Sequence, residues 1–287
     1  MISIVIPMYN EEAAVGDDLR AIRAIMLESG LDFEIIVVDD GSTDRSAEIV
    51  SEFEEVRLLQ HPRNRGTGAA RTTGLRAAQG DIVIMTDADS TYPNHEIPKL
   101  VEMVQSGHTM VIGARRREAG TLPWLRAPAK WFIRQLASYL TATRIPDLNS
   151  GLRAFEREIV LRYVGLLPTT HSWVSTITIA LLSDGYSVAW HPIDYYPRKG
   201  HSSFHPIADT YNYLSLVVRS VMYFNPLKVF LPVSLFFLVF GFIKMIRDFA
   251  YYQGFYVPAI TLTLLVTGIQ LGAIGMLADL IVKRSRL

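Results

Sequence analysis

The sequence contains no cysteine and has no excess of either charge. Without cysteine, a disulfide framework and a thiolate metal site are both excluded, so any bound metal must use oxygen or imidazole ligands. Lysine and arginine together number 28, as do aspartate and glutamate. This balance gives no indication of a nucleic-acid partner, and we expect none. The chemistry must therefore be sought in where the charged residues lie.

Two long apolar stretches occupy the C-terminal part of the 287-residue chain. Residues 227–246 and 257–282 each reach the roughly 20 residues needed to cross a bilayer. Buried core helices are the alternative, but they would require polar faces, and the run at 235–240 has none. We therefore predict an integral membrane protein with two spans joined as a helical hairpin.

Basic residues flank both predicted spans. Arg219 and Lys228 surround the start of the first, and Lys283, Arg284 and Arg286 follow the second. The positive-inside rule then predicts that both termini and the domain before the hairpin are cytoplasmic. The opening run at 2–7 is too short for a secretory signal and lacks a basic region before it, which favours a buried strand.

Short apolar runs alternate with helical patterns over about the first 115 residues, as is typical of a parallel sheet flanked by helices. The predicted strands are residues 2–7, 33–39, 56–60, 81–86 and 109–114. The predicted helices are residues 12–29, 43–53 and 66–78. The pattern indicates a doubly wound α/β domain, in which ligands bind at the carboxyl ends of the strands.

Two amphipathic stretches follow this pattern. Residues 123–143 and residues 207–224 mix aromatic and basic side chains, so each could lie in the membrane interface or pack on the sheet. We divide the chain into an α/β domain at 1–205, a juxtamembrane helix at 206–225 and the hairpin at 226–287.

Polar residues follow the first two predicted strands. Pro7, Tyr9 and Glu11 come after the first, and Asp39 and Asp40 end the second. A tyrosine ring can stack on a base, and carboxylates can accept hydrogen bonds from a base or a ribose hydroxyl. Adjacent carboxylates repel each other unless a cation or donor groups satisfy them. These five residues are candidates for nucleotide binding.

Turn chemistry is the alternative explanation for the acidic segment at 39–44. Its composition also suits a turn that leads into a helix. Ser42 and Asp44 are assigned to the helix N-cap on this basis.

The sharpest signal is Asp87-Ala88-Asp89, directly after the strand predicted at 81–86. Two carboxylates two residues apart on a turn can converge on one hard divalent cation, with diphosphate oxygens completing its ligands. Such a cation would neutralise charge on a departing diphosphate. An isolated Asp-x-Asp pattern is common in solvated loops. Its place in a sheet with other acidic strand ends favours a metal site held by Asp87 and Asp89.

Two further segments suit anionic groups. Residues 64–71 join a strand to a helix, where two glycines and Arg71 favour a phosphate, although a tight packing turn explains the glycines equally well. Residues 198–204 combine Arg198 and Lys199 with Ser202 and suit a phosphate. The alternative for this second segment is a basic patch that contacts anionic lipid.

Taken in order, these segments resemble the inverting GT-A glycosyltransferases of family two. Within that family they are similar to the polyprenyl-phosphate glycosyltransferases of the dolichyl-phosphate mannose synthase type. The resemblance covers about the first 205 residues and rests on the order of the motifs across separate strand ends. The matching segments are Pro7 with Tyr9 to Glu11, residues 39–44, 64–71, 87–89 and 150–155.

The resemblance implies a role for each matching residue. The nucleoside-binding residues would be Pro7, Tyr9, Glu11, Asp39, Asp40, Arg71 and Ala88. Catalysis would involve Asp87, Asp89, Asp147, Arg126 and Arg198, with Mg²⁺ or Mn²⁺ on the first two. The acceptor-phosphate contacts would be Arg115, Arg126, Lys130, Arg198 and Ser202.

This chain departs from the family pattern in two places. Relatives often have Leu-Gln after the Asp-Ala-Asp, where this chain has Ser90-Thr91, so a third side-chain metal ligand does not carry over from the resemblance. The family's Arg-x-Gly-x-Ser-Lys loop lacks its final cation here, unless Lys199 replaces it.

The resemblance implies transfer of one sugar from a nucleotide-sugar, with inversion, to a dolichyl or undecaprenyl phosphate in the bilayer. Both UDP-sugars and GDP-mannose suit the motifs. The alternatives are a family-two membrane enzyme with a saccharide or glycolipid acceptor, and a nucleotide-sugar-binding membrane scaffold without turnover. Relatives often assemble through their anchors, so a homo-oligomer is also an expectation.

Overall fold

The computed structural model describes residues 1–116, 135, 137–139, 141–169, 172–197, 226–252 and 256–284. These residues belong to two units, Met1–Val217 and Val218–Leu287. The stretch predicted to be amphipathic at 123–143 lies largely outside the described residues, and the one at 207–224 lies wholly outside them.

A seven-stranded sheet organises the first unit, with the strand order β3-β2-β1-β4-β6-β5-β7. β6 is antiparallel to β4 and β5, whereas the other neighbours run parallel. The strands are β1 Ile2–Met8, β2 Phe33–Asp39, β3 Val56–Gln60, β4 Ile82–Met85, β5 Met110–Arg115, β6 Arg153–Glu156 and β7 Val188–Ile193.

The helices of this unit connect the strands. They are α1 Val15–Ser29, α2 Ser46–Ser51, α3 Thr67–Ala77, α4 Ile97–Gln105, α5 Arg157–Leu161 and α6 Trp173–Ser183. Every residue of β1 is buried, which explains why its sequence is almost continuously apolar. Gly30 ends α1 in the left-handed conformation, with a φ of 66°, as a glycine C-cap should.

The fold class predicted from the sequence is confirmed. β2 and β3 have the predicted bounds, and β1, β4 and β5 differ from theirs by one residue at one or both ends. The predicted helix starts are too early, because the loops after β1 and β2 continue to Val15 and Ser46. β6 and β7 are not predicted from the sequence. The parallel register places the carboxyl ends of β1, β2 and β4 at one edge of the sheet.

The second unit contains two long apolar helices, α7 Leu227–Tyr252 and α8 Ala259–Arg284. Both are long and apolar enough to cross a membrane, and only 11% of the most apolar window of each is buried. Apolar side chains are exposed along both helices, which in water would be unfavourable. This supports the predicted pair of spans.

Small residues allow the two helices to approach closely. A Cβ added at Gly268 would lie 2.7 Å from Leu238 Cγ, and one added at Gly275 would lie 2.6 Å from Phe230 Cβ. Ser234 Oγ donates a 2.7 Å hydrogen bond to the Gly268 carbonyl oxygen. Close backbone approach and interhelical hydrogen bonds are what hold helices together in a bilayer.

Candidate active site

A cleft of about 350 Å³ lies at the carboxyl edge of the sheet. Such a volume falls within the range of small-molecule binding sites. The loops after β1, β2, β3 and β4 all contribute to its wall. The lining residues are Pro7, Met8, Tyr9, Glu11, Asp40, Asn64, Gly66, Thr67, Ala70, Arg71, Asp87, Ala88 and Asp89.

The loops after β1 and β2 are tied together by hydrogen bonds. The Asn10 N–H donates to Ser42 Oγ over 2.9 Å, and the Thr43 N–H donates to Asn10 Oδ1 over 2.8 Å. Asn10 has a φ of 54°, a left-handed conformation that asparagine tolerates better than most residues. Tyr9, 44% exposed, stands beside this junction at the cleft. The arrangement leaves its ring accessible to a planar ligand.

Asp44 and Ser42 belong to this junction, and the prediction that they form the helix N-cap is wrong. α2 begins at Ser46, its N-cap position is Arg45, and no side chain caps it there. Asp44 instead accepts hydrogen bonds from the Ser46 N–H at 3.0 Å and from the Glu12 N–H at 3.1 Å. Burial alone would raise the pKa of Asp44, but the bonds from Ser46 and Glu12 outweigh it and lower that pKa.

Asp40 is buried, and its carboxylate holds the loop after β3. Its oxygens accept the Arg65 N–H at 3.0 Å and the Gly66 N–H at 2.7 Å. The His61 ring lies between Asp40 and Thr73, with Nδ1 2.6 Å from Asp40 Oδ1. Asp40 thus shapes the wall where Gly66 begins α3. Asp39, also buried, accepts the Ser42 N–H at 2.9 Å.

Asp87, Ala88 and Asp89 form the turn after β4 and line the cleft. Asp87 Oδ1 accepts a 2.7 Å hydrogen bond from Arg71 Nη2, and Asp87 Oδ2 makes no hydrogen bond with the described residues. Asp89 Oδ1 accepts from the Thr91 hydroxyl at 2.6 Å and from the Thr91 N–H at 3.2 Å. Each of the two carboxylates is therefore held by a hydrogen-bond donor of its own.

Gly151 packs directly on Asp87. A Cβ at Gly151 would collide with the Asp87 carboxylate, so no larger residue fits there without displacing it. The Gly151 N–H donates a 2.6 Å hydrogen bond to the buried Tyr92 hydroxyl. Burial first, and then the charge of Asp87, raise the pKa of Tyr92, which keeps this hydroxyl neutral.

The acidic pair fits a hard divalent cation. Its donors are carboxylate oxygens, the type that Mg²⁺ prefers and Mn²⁺ accepts. Asp87 Oδ2 is left without a hydrogen bond among the described residues, and its side chain is 29% exposed. Within those residues no three histidine, aspartate or glutamate side chains cluster as a metal site. A cation held here would need diphosphate or water oxygens to complete its ligands.

Two buried arginines supply positive charge near the cleft. Arg71 is 5% exposed and Arg153 is fully buried. Arg153 donates to the Val174 carbonyl oxygen at 2.9 Å and to the Ser150 carbonyl oxygen. Burial, with the charge of Arg71 contributing, lowers the pKa of Arg153 to about 9, so the Arg153 guanidinium stays charged at neutral pH. Together with the N-terminus of α3, the two arginines favour an anion in the cleft.

Arg115, the last residue of β5, forms a bidentate ion pair with Asp147. Arg115 Nε is 2.7 Å from Asp147 Oδ2, and Arg115 Nη2 is 3.0 Å from Asp147 Oδ1. The Arg115 guanidinium also lies 5.2 Å from the centre of the Tyr195 ring. Burial alone would raise the pKa of Asp147, but the hydrogen bonds from Arg115 hold it below its ordinary value. Arg115, predicted to contact the acceptor phosphate, is therefore ion-paired with Asp147, the acidic residue predicted to take part in catalysis.

Four predicted site residues, Arg126, Lys130, Arg198 and Ser202, lie outside the described residues. The structure brings eight of the others to the cleft wall or its rim. These are Pro7, Tyr9, Glu11, Asp40, Arg71, Asp87, Ala88 and Asp89.

Sequence reasoning did not identify several residues that support the site. His61 directly follows β3, so the same search of strand ends could have found it. Arg153 lies within the segment 150–155 and Tyr92 follows Ser90-Thr91, but nothing in the sequence shows that Tyr92 contacts Gly151 or that Arg153 is buried. Asp18, on α1, reads as an ordinary acidic residue of a first helical turn.

Comparisons with known proteins identify the family of the chain. Residues 3–163 match the model of glycosyl transferase family 2. The chain belongs to that family. Residues 225–283 match a second model, the GtrB C-terminal hairpin, which supports α7 and α8 as a membrane hairpin. The family predicted from the order of the motifs is confirmed.

Curated relatives in this family share part of the chain. An undecaprenyl-phosphate 4-deoxy-4-formamido-L-arabinose transferase from Pseudomonas aeruginosa (strain LESB58) is 40% identical over 165 residues, which are 56% of this chain and 48% of that one. The chain thus spans about half the length of the first curated relatives it matches. A dolichyl-phosphate hexose transferase from Haloferax volcanii is 31% identical over 208 residues, covering 72% of this chain and 88% of that one.

Solved structures with the same fold contain ligands. Glucosyl-3-phosphoglycerate synthase from Mycobacterium tuberculosis, in complex with Mn²⁺, uridine diphosphate and phosphoglyceric acid, has a TM-score of 0.64. Its sequence is 21% identical, and the match covers 77% of this chain and 78% of that one. Another structure of that synthase holds Mg²⁺ and uridine diphosphate, with a TM-score of 0.63. At this identity the likeness establishes the fold alone.

Proposed function

We propose that the protein transfers one sugar from a nucleotide-sugar to a polyprenyl phosphate, with inversion at the anomeric carbon. The observation that carries the proposal is the pair Asp87 and Asp89 on the wall of a 350 Å³ cleft, in a chain that continues into an apolar hairpin. The curated relatives, named as transferases to undecaprenyl and dolichyl phosphate, support this acceptor class.

The donor is a UDP-sugar or GDP-mannose in this proposal. Tyr9 stacks on the base, and the loop held by Asp40 contacts the nucleoside and the phosphates. Arg71 and the start of α3 face the diphosphate, because they combine positive charge with backbone N–H groups at the cleft. Asp87 and Asp89 would hold Mg²⁺ or Mn²⁺ there. When bound, the cation neutralises the charge that develops on the departing diphosphate.

The acceptor phosphate requires no general base. It is anionic at neutral pH, so one of its oxygens forms the new bond to the anomeric carbon directly. The bond from that carbon to the diphosphate oxygen breaks, and the nucleoside diphosphate leaves. The residues assigned to the acceptor phosphate are Arg115, Arg126, Lys130, Arg198 and Ser202. Catalysis then consists of positioning and charge stabilisation.

The hairpin holds the catalytic unit at the bilayer, where polyprenyl phosphates reside. In this proposal both termini and the catalytic unit are cytoplasmic, because basic residues flank the outer ends of the two spans. The proposed catalytic domain is residues 1–205, followed by a juxtamembrane helix at 206–225 and the hairpin at 226–287.

The test uses the full chain in lipid nanodiscs. It would be incubated with Mn²⁺, undecaprenyl or dolichyl phosphate, and in turn UDP-glucose, UDP-glucuronate, UDP-N-acetylhexosamine and GDP-mannose. Mass spectrometry of the lipid should find a product heavier by one sugar with one of these donors. The matching polyprenol without phosphate should give none.

Two other results would decide against the proposal. Products that grow by several sugars, or transfer to added saccharides but not to lipid phosphate, would favour another family 2 acceptor. Tight donor binding without turnover of any donor would favour a scaffold.

A further inference from the structure

Ser90 has an unusual backbone conformation beside the acidic pair. Its φ is 57°, in the left-handed region that residues other than glycine adopt only at an energetic cost. Since Ser90 directly follows Asp89, its conformation sets the direction in which the chain leaves the turn. A conformation of this kind persists only where the surrounding structure holds it.

A buried carboxylate on α1 provides that hold. Asp18 Oδ2 accepts a 2.8 Å hydrogen bond from the Ser90 N–H, and Asp18 Oδ1 accepts a 3.2 Å bond from Asn94 Nδ2. Asn94 Oδ1 in turn accepts a 3.3 Å bond from the Thr86 hydroxyl, at the end of β4. One side chain from a helix distant in sequence thus connects both ends of the turn after β4.

Burial of the Asp18 carboxylate costs free energy. The residue is 5% exposed, and no lysine or arginine pairs with it among the described residues. Burial first, and with it the nearby charge of Asp89, raise the pKa of Asp18 to about 6. A carboxylate placed so close to another acidic residue needs a function that offsets this cost.

We propose that Asp18 is a positioning residue for the cation-binding turn, holding Ser90 in its left-handed conformation so that Asp89 is presented to the cleft. This inference rests on the proposed function, because it assigns Asp87 and Asp89 to a divalent cation. Thr91 also contributes, since its hydroxyl and N–H both donate to Asp89 Oδ1. Asp18 itself does not line the cleft.

The first experiment measures Mn²⁺ affinity rather than turnover. The full chain in detergent would be titrated with Mn²⁺ alone, with free Mn²⁺ followed by electron paramagnetic resonance. Asp18→Asn should weaken binding by about tenfold or more, as is usual when a residue that orients a metal ligand is changed. The matched control is Asp17→Asn, an exposed neighbour that pairs with Arg20, and it should bind Mn²⁺ like the unaltered chain.

The second experiment separates positioning from a general contribution to folding. Glycine adopts a positive φ without the steric cost that serine bears. Adding Ser90→Gly to Asp18→Asn should therefore recover part of the lost Mn²⁺ affinity. If Asp18 only supported the packing of α1, the added glycine would leave the affinity as low as in Asp18→Asn, and the proposal would be overturned.

Asp89→Asn is the reference that distinguishes the two hypotheses. If the unaltered chain binds Mn²⁺, Asp89→Asn does not, and Asp18→Asn binds as tightly as Asp17→Asn, the positioning role is wrong while the proposed metal site stands. If Asp89→Asn binds Mn²⁺ as well as the unaltered chain, both are wrong.

Discussion

Two acidic turns at the same edge of the sheet use their carboxylates differently. In the turn after β2, Asp39 and Asp40 are buried, and they accept hydrogen bonds from the Ser42 and Gly66 N–H groups. In the turn after β4, Asp87 keeps one carboxylate oxygen without a hydrogen bond among the described residues. Similar sequences at strand ends therefore serve to hold loops in the first case and suit a cation in the second.

The largest expected effect is on the turn after β4. Asp89→Asn keeps an oxygen that can accept from Thr91 but removes the negative charge, so transfer should fall about 1,000-fold, the upper range for losing one electrostatic contact to a transition state. Initial rates of glycolipid formation would measure this. Thermal unfolding without added metal should stay unchanged.

Asp81→Asn is the matched control for that substitution. Asp81 is exposed at the opposite end of β4, so its loss should leave the rate as it is. If Asp81→Asn lost as much transfer rate as Asp89→Asn, the loss could not be attributed to the turn at the carboxyl end of β4.

The next effect tests how closely Asp87 is held. Gly151→Ala would push against the Asp87 carboxylate and should reduce transfer by about 100-fold, because small displacements of a catalytic group have effects of that size. Gly165→Ala is the control, since no atom lies within 4 Å of a Cβ added there. Full activity of Gly151→Ala would mean that the position of Asp87 does not matter.

The turn after β2 should respond through stability and nucleotide binding. Asp40→Asn places an amide N–H against the Gly66 or Arg65 N–H, so the free energy of unfolding should fall by about 2 kcal/mol. The KM for the nucleotide-sugar should rise more than kcat falls, since the variant distorts the wall that Gly66 forms. A kcat loss as large as that of Asp89→Asn, without a stability change, would place Asp40 among the reacting groups instead.

The smallest effect is expected at Asp44, in the same turn. Hydrogen bonds from Ser46 and Glu12 lower its pKa, so the ionised form is the one that the fold favours. The ionised Asp44 carboxylate therefore stabilises the folded state at pH values above the ordinary pKa of 3.8. This stabilisation is lost as the pH falls through the lower pKa that Asp44 has in the folded state. Asp44→Asn should therefore lower the unfolding temperature slightly at pH 7 and have less effect near pH 3. If the difference in unfolding temperature between Asp44→Asn and the unaltered chain grew on acidification, the prediction would be wrong.

The sequence predicts well what local pattern determines. β1 to β5 are apolar runs bounded by turn residues, which is the pattern that predicts strands. Because ligands bind at the carboxyl ends of parallel strands, the acidic turns after β2 and β4 could be predicted as binding residues. β6 escapes prediction because its four residues include the charged Arg153, which the fold buries completely. β7 is obscured by Pro192, a residue that usually argues against a strand.

Supporting contacts are harder to predict because they join distant parts of the chain. Asp18 and Ser90 are 72 residues apart, and Tyr92 and Gly151 are 59 apart. No spacing rule connects such pairs. The sequence therefore identified eight of the residues that line the cleft, but not distant supporting partners such as Asp18 and Tyr92.

The most direct test of the account is the metal dependence of glycolipid formation by the full chain in nanodiscs. With a productive nucleotide-sugar and polyprenyl phosphate, treatment with EDTA should abolish the lipid product, and excess Mn²⁺ should restore it in the unaltered chain but not in Asp89→Asn. Undiminished formation of the lipid product in EDTA would contradict the assignment of Asp87 and Asp89 to a divalent cation.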